Sequence, residues 1–168
     1  LDADKRYIAT VQLGVTTETA DAEGAVLMRR PVTTNRVALE QMLSRFLGDI
    51  EQIPPMHSAL KRDGKPLYAY AREGIVLERA PRHVHIYQIR LLEWEAERFV
   101  FEVTCSKGTY VRTLAADIGE ALGCGGHLIA LRRMGIGALD VTQAHTITEL
   151  ESLDNVARDA LLLPPDAL

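Results

Sequence analysis

A chain of 168 residues, 47% apolar and 25% charged, has the size and composition of one globular domain with a real hydrophobic core. Its net charge of −4 excludes a uniformly basic nucleic-acid binder, and no apolar run approaches the ~18 residues that a membrane-spanning helix needs. The charge is uneven, however: residues 57–90 hold seven Lys/Arg against three acids, so an acidic body carries one basic segment. That segment reads either as a local anion-binding surface or as a solvated loop with scattered charges. No signal peptide is visible, and the chain starts with Leu1 rather than Met, so it is expected to be a processed or excised piece. Cys105 and Cys124 lie outside any metal-ligand or CxxC spacing and read as free thiols of a reducing, cytoplasmic setting.

Residues 5–13, KRYIATVQL, alternate: Tyr7, Ala9, Val11 and Leu13 share one face, as in a half-buried strand. Tyr7 is either a core ring or a ring facing a cleft. Residues 14–24, GVTTETADAEG, are rich in turns and hydroxyls. Glu18, Asp21 and Glu23 suggest a calcium loop, but their spacing does not fit an EF-hand, and a solvated loop ordered by Thr and Asp side chains is the better reading. A strand over 25–32 should return to form a hairpin. Asn35 then caps a helix with Leu39, Met42, Leu43 and Phe46 on one face, and Gly48 is expected to close it.

Residues 48–74 read GDIEQIPPMHSALKRDGKPLYAYAREG. Pro54-Pro55 breaks regular structure and Asp63-Gly64 favours a tight turn. Tyr68 and Tyr70 interleave with Lys61, Arg62, Lys65 and Arg72, and a short helix is expected over 67–72. Cations that track phosphates beside rings that stack on bases suit a contact with looped or single-stranded RNA. Strands are expected over 84–92 and 99–105, joined by a polar EWEAER hairpin.

After Cys105 comes a tight basic turn at Lys107-Gly108. Thr109 can cap the next helix, with Tyr110 and Arg112 in its first turn. A ring and a fixed cation at a helix N-terminus suit an anion and a planar base. Val111, Leu114, Ala115, Ile118 and Leu122 form the packing face, and Gly123 stops the helix. Residues 128–131 are apolar throughout and predict a buried central strand running into Arg132-Arg133. A further strand is expected over 138–143. Thr148 with Glu151 predicts a capping box, and Pro164-Pro165 ends the ordered part. Together these elements indicate an α+β fold with a mixed, mostly antiparallel sheet flanked by helices. There is no P-loop and no GxGxxG motif.

Five stretches together resemble the TruB family of tRNA pseudouridine synthases, in family order. They are DKRY (4–7), TETADAEG (17–24), the whole 48–74 segment, CSKGTYVRT (105–113) and LGCGGHLIALRR (122–133). The long 48–74 segment is closer to the bacterial stand-alone enzymes than to their guide-RNA-dependent relatives. The resemblance implies isomerisation of uridine-55 in the T stem-loop of tRNA, with no cofactor and no metal, by a protein expected to be a monomer. It implies that Tyr7 packs on the target uracil and takes part in proton removal, that Tyr110 lines the nucleotide pocket, that Arg112 pairs with the catalytic aspartate and that Leu131 closes the pocket. Residues 48–74 resemble the thumb that grips the T loop, with Lys61, Lys65 and Arg72 as RNA contacts.

One departure matters. The family nucleophile is an aspartate in a G-H-T-G-x-L-D segment upstream of DKRY, and no such segment occurs among these residues; Asp4, Asp21 and Asp117 lie outside that context. The expectation is a partial catalytic domain over 1–168, lacking that aspartate and the C-terminal RNA-binding PUA domain. A non-catalytic RNA-binding or tRNA-folding module is the alternative, and a generic α+β domain a third reading.

Overall fold

A computed structural model describes residues 2–164. Its centre is a six-stranded sheet in the order β10-β9-β1-β8-β7-β4. The strands are β1 (Lys5–Leu13), β4 (Gly48–Gln52), β7 (Arg82–Glu95), β8 (Arg98–Cys105), β9 (Gly126–Ile136) and β10 (Leu139–Asp140). Every pairing between them is antiparallel. The alternation in β1 works as expected: Ala9, Val11 and Leu13 are fully buried, and Tyr7 packs partly buried against the same core. Phe99, Phe101, Val103 and Cys105 of β8 and Ile86 of β7 share that core.

Two helices supply the other layer. In α1 (Arg36–Ser44) the Asn35 side chain accepts a 3.0 Å bond from the Ala38 N–H, and Leu39 and Leu43 enter the core. The helix ends earlier than expected, at Ser44. Gly48 does not close it; with φ +90° it opens β4 instead. In α3 (Val111–Ala121) Val111, Leu114, Ala115 and Ile118 bury the predicted face, and Gly123, at φ +83°, follows the Leu122 cap. Gly119 is needed for another reason: a Cβ there would lie 2.3 Å from the Gly126 nitrogen and 2.4 Å from the Gly125 carbonyl carbon.

The 14–32 hairpin is shorter than expected. β2 (Val15–Thr17) pairs with β3 (Val26–Arg29) in a small separate sheet. The 48–74 segment leaves the main sheet only after Gln52. It then forms a two-stranded hairpin, β5 (Lys61–Arg62) and β6 (Lys65–Pro66), followed by α2 (Leu67–Arg72). Asp63 and Gly64, at φ +51° and +79°, make its tight turn, because both central residues of that turn need positive φ.

Three expectations near the C-terminal end shift. The 128–131 run is not a buried central strand: β9 sits second from the sheet edge, beside a two-residue β10 that covers little of it, and Leu131 is 47% exposed. The expected 138–143 strand stops at Asp140, whose side chain instead caps a 3-10 turn (Val141–Gln143). The capping box lies two residues early, at Thr146 with Glu149, because the Thr-x-x-Glu pattern occurs twice in succession; it opens α4 (Ile147–Ser152), which α5 (Asn155–Asp159) follows. Pro165 of the expected Pro-Pro end lies outside the described residues.

Candidate active site

The N-terminus of α3 is where three distant parts of the chain meet. Gly108 (φ +82°) turns the backbone after β8, and the Thr109 hydroxyl donates to the Ser106 carbonyl at 2.9 Å. Thr109 therefore closes the turn and does not cap the helix; Tyr110 stands at the cap position, with no side chain of its own doing so. Gln52 does part of that work from the end of β4. Its Oε1 accepts from the Tyr110 N–H at 3.0 Å, and its Nε2 donates to the Tyr110 carbonyl at 3.3 Å.

Arg112 projects from the first turn of α3, away from the packing face. It donates from Nη1 to the Asp21 carboxylate at 2.8 Å and from Nη2 to the His57 carbonyl. Both partners of the ion pair are about four-fifths buried. Asp21 is itself held in place: its other oxygen accepts from the Thr19 hydroxyl at 2.5 Å and from the Glu23 N–H. Its loop is tied to β9 by the Leu128 N–H donating to the Ala20 carbonyl, the one parallel bridge among the described residues. Burial pushes the Asp21 carboxyl up, but the bonds from Thr19, Arg112 and Glu23 outweigh it and hold the group below its ordinary range. The arginine and its carboxylate are thus both charged and both fixed.

A cavity of about 320 Å³ opens between this loop and the thumb, lined among others by Thr19, Ala20, Met56, His57, Val76 and Arg79. Tyr7 and Leu131 lie on neighbouring strands: Tyr7 faces Arg133 across β1 and β9, and Leu131 faces Ala9. The Arg133 guanidinium sits over the Tyr7 ring at 5.5 Å. No hydrogen bond or ion pair among the described residues joins Tyr7 or Leu131 to Arg112. On the thumb, Lys61 is exposed. Lys65 is occupied: its ammonium lies 2.6 and 2.7 Å from the two Glu73 oxygens and 4.5 Å from the centre of the Tyr70 ring. Arg72 lies over Tyr68 at 5.3 Å. Among the described residues no group of three or more His, Cys, Asp or Glu side chains converges to hold a metal ion. Among the described residues no helix is long and apolar enough to cross a membrane.

A family profile described as "TruB family pseudouridylate synthase (N terminal domain)" matches residues 1–111. The chain belongs to the TruB family. A second TruB profile, "tRNA pseudouridylate synthase B C-terminal domain", matches residues 112–168. The two meet inside α3, yet strands from both build the one sheet around β1. This TruB-family chain is 57% identical over its full length to a tRNA pseudouridine synthase B of Azoarcus sp., of which it covers 56%, and 58% identical to one of Burkholderia lata, of which it covers 52%. It spans about half the length of the curated relatives it matches. Among solved structures, a chain of a Cbf5-Nop10-Gar1 complex matches with a TM-score of 0.65 and 29% identity, over 89% of this chain and 36% of that one. A chain of an H/ACA RNP bound to a substrate RNA containing 2′-deoxyuridine shares the fold, with a TM-score of 0.62 and 23% identity over 95% of this chain and 40% of that one.

Sequence reasoning missed Asp21, His57 and Gln52 as partners of the α3 N-terminus. Asp21 carried a signal, since its loop was part of the family resemblance, but its acids read as solvated. The His57 contribution is a backbone carbonyl, which any residue type would supply. Gln52 lay before Pro-Pro in an insertion read for its cations.

Proposed function

We propose that this chain forms the substrate-facing part of a tRNA pseudouridine synthase that converts uridine to pseudouridine in the T loop, at uridine-55. The observation that carries the reading is Arg112, held rigidly at the start of α3 between Asp21 and the His57 carbonyl. Two of its five N–H donors are engaged there, and the other three make no hydrogen bond among the described residues, which suits them to receive a second carboxylate. That carboxylate is the family's aspartate nucleophile, which we place in the part of the longer relatives that this chain does not cover. Arg112 would keep it ionised and aimed, beside the positive end of the helix.

In this reading the N1–C1′ bond of the uridine breaks, the uracil turns, and C5 bonds to C1′ and later gives up its proton. The stoichiometry needs no redox partner and no hydrolysis. The target base leaves its stack at a cost of a few kcal/mol, which aromatic stacking at roughly 1–3 kcal/mol per base largely offsets. Tyr7 and Tyr110 supply the rings, Leu131 covers the pocket, and Tyr7 assists proton removal. The exposed position of Leu131 suits a residue that meets substrate. Lys61, Lys65 and Arg72 on the thumb hairpin and α2 hold the T stem-loop. The fold shared with a chain of an H/ACA RNP bound to a substrate RNA supports RNA as the partner.

The test is tritium release from tRNA labelled at C5 of uridine, with this chain beside a version extended upstream through the missing aspartate. Release only by the extended protein is expected. Release by both would make a carboxylate of this chain the nucleophile. Release by neither, with salt-dependent T-arm binding intact, would make this an RNA-binding module. In that case Tyr7→Phe should leave binding untouched, whereas a synthase loses turnover.

A further inference from the structure

The geometry points to Gln52 as a positioning residue that sets Tyr110 and Arg112. This inference rests on the synthase reading for its consequence and on hydrogen-bond geometry for its cause.

In a capping box the side chain of the third helical residue reaches back to the backbone N–H of the cap. In α3 that third residue is Thr113, and it makes no such bond among the described residues. Gln52, 58 positions upstream, takes the role. Its Oε1 accepts from the Tyr110 N–H, and its Nε2 donates to the same residue's carbonyl, which also accepts from the Leu114 N–H. Gln52 is 2% exposed, so it is sheltered from water that could replace these bonds. Both faces of one peptide residue are therefore clamped by one side chain. That clamp orients the Tyr110 ring at its root and fixes the first turn, from which Arg112 projects two residues on.

The clamp is also joined to the thumb. Gln52 is the last residue of β4, and five residues later the His57 carbonyl accepts from Arg112. Strand end and arginine thus form a short closed circuit: Gln52 to Tyr110, Tyr110 to Arg112, Arg112 to His57, and back along the chain. An arginine placed by such a circuit needs no rearrangement to meet a carboxylate, and a displacement of about 1 Å can cost about 100-fold in rate.

The experiment uses the extended, nucleophile-containing protein with Gln52→Leu and Gln52→Glu. Gln52→Leu should lower kcat by about 10- to 100-fold while KM for tRNA stays within about threefold. Gln52→Glu can reproduce both bonds only when protonated, accepting from the N–H and donating to the carbonyl. Its turnover per folded molecule should therefore recover as pH falls and fade as pH rises, adding a limb that the parent's pH profile lacks. Nitrogen-15 resonances of the Arg112 guanidinium, assigned with an Arg112→Lys control, read the same placement without turnover and should shift in Gln52→Leu. An unmoved Arg112 resonance, or kcat unchanged in Gln52→Leu, overturns the proposal. So does a joint fall in kcat, affinity and Tm with no new pH limb in Gln52→Glu, which marks a structural role alone. If Gln52→Leu does not fold, Gln52→Glu at low and high pH carries the test. A shift of the Arg112 resonance in a protein that releases no tritium would uphold the positioning and sink the synthase reading, so the two fail separately.

Discussion

Arg112 holds the largely buried Asp21 carboxylate and a thumb carbonyl at once, so its removal acts in two places. Arg112→Ala leaves the carboxylate without its counter-ion and frees the His57 carbonyl. In the extended protein turnover should fall by about 100-fold or more, as when a preorganised charge-stabilising donor is lost. Affinity for tRNA should change little. Arg112→Lys should not rescue, because a point charge on a flexible stem cannot span both partners; steady-state kcat and KM distinguish these outcomes.

The thumb cations divide at the same scale. Lys61 is exposed and its ammonium has no partner among the described residues, whereas Lys65 is committed to Glu73. Lys61→Ala should weaken tRNA binding and reduce the slope of log affinity against log salt by about 1. Lys65→Ala should do less, because its charge is already offset. Fluorescence titration of a labelled T stem-loop at several salt concentrations checks both.

Asp117, on α3, has no part in the site but shapes the stability. Burial, and secondarily the neighbouring Glu120 carboxylate, push its carboxyl from the ordinary 3.8 up to about 6. The folded state therefore prefers the protonated acid. Its contribution is fully present below about pH 3.8 and is lost as pH rises through about 6. Asp117→Asn removes that loss: Tm at pH 7 should rise by about 2–4 °C, and Tm near pH 4 should barely change. The group is partly exposed, so solvent screening keeps the gain to about 1 kcal/mol.

Among elements, α3 links core and site. Its inner face packs on the sheet, its N-terminus presents Tyr110 and Arg112, and its Gly119 lies against the Gly125-Gly126 backbone. Gly119→Ala would force backbone against backbone, which has no flexible side chain to yield. A loss of about 1–3 kcal/mol is expected, read as a lower denaturation midpoint at unchanged m. The strain would also move the 125–126 turn that leads into β9, so Leu131 would feel it.

The elements divide by how local their causes are. The Asn35 cap, the Asp63-Gly64 turn, the Gly123 stop, the α2 helix and the alternation of β1 and β8 were legible, because each follows from residues within one or two turns of chain. Gly48, the apolar 128–131 run and the later Thr-x-x-Glu were misread. In each case the local signal was real, and neighbours decided its use: Gly48 opened a strand, β9 buried Leu128 but left Leu131 exposed, and an earlier copy of the capping pattern took the helix start.

For the whole molecule, the basic 57–90 segment divides between the thumb, which carries Lys61, Arg62, Lys65 and Arg72, and strand β7, which carries Arg82 and Arg90. T-arm binding should therefore weaken with salt despite the net charge of −4. The sequence by itself determined the α+β class, the antiparallel pattern and the family, because propensity, periodicity and motif order are written in neighbouring residues. Only the tertiary structure decided the partners. Arg112 meets Asp21 across 91 residues and the His57 carbonyl across 55, and Gln52 meets Tyr110 across 58. No local pattern encodes such pairs: they follow from the strand order that brings the end of β4, the 14–24 loop and the start of α3 to one place.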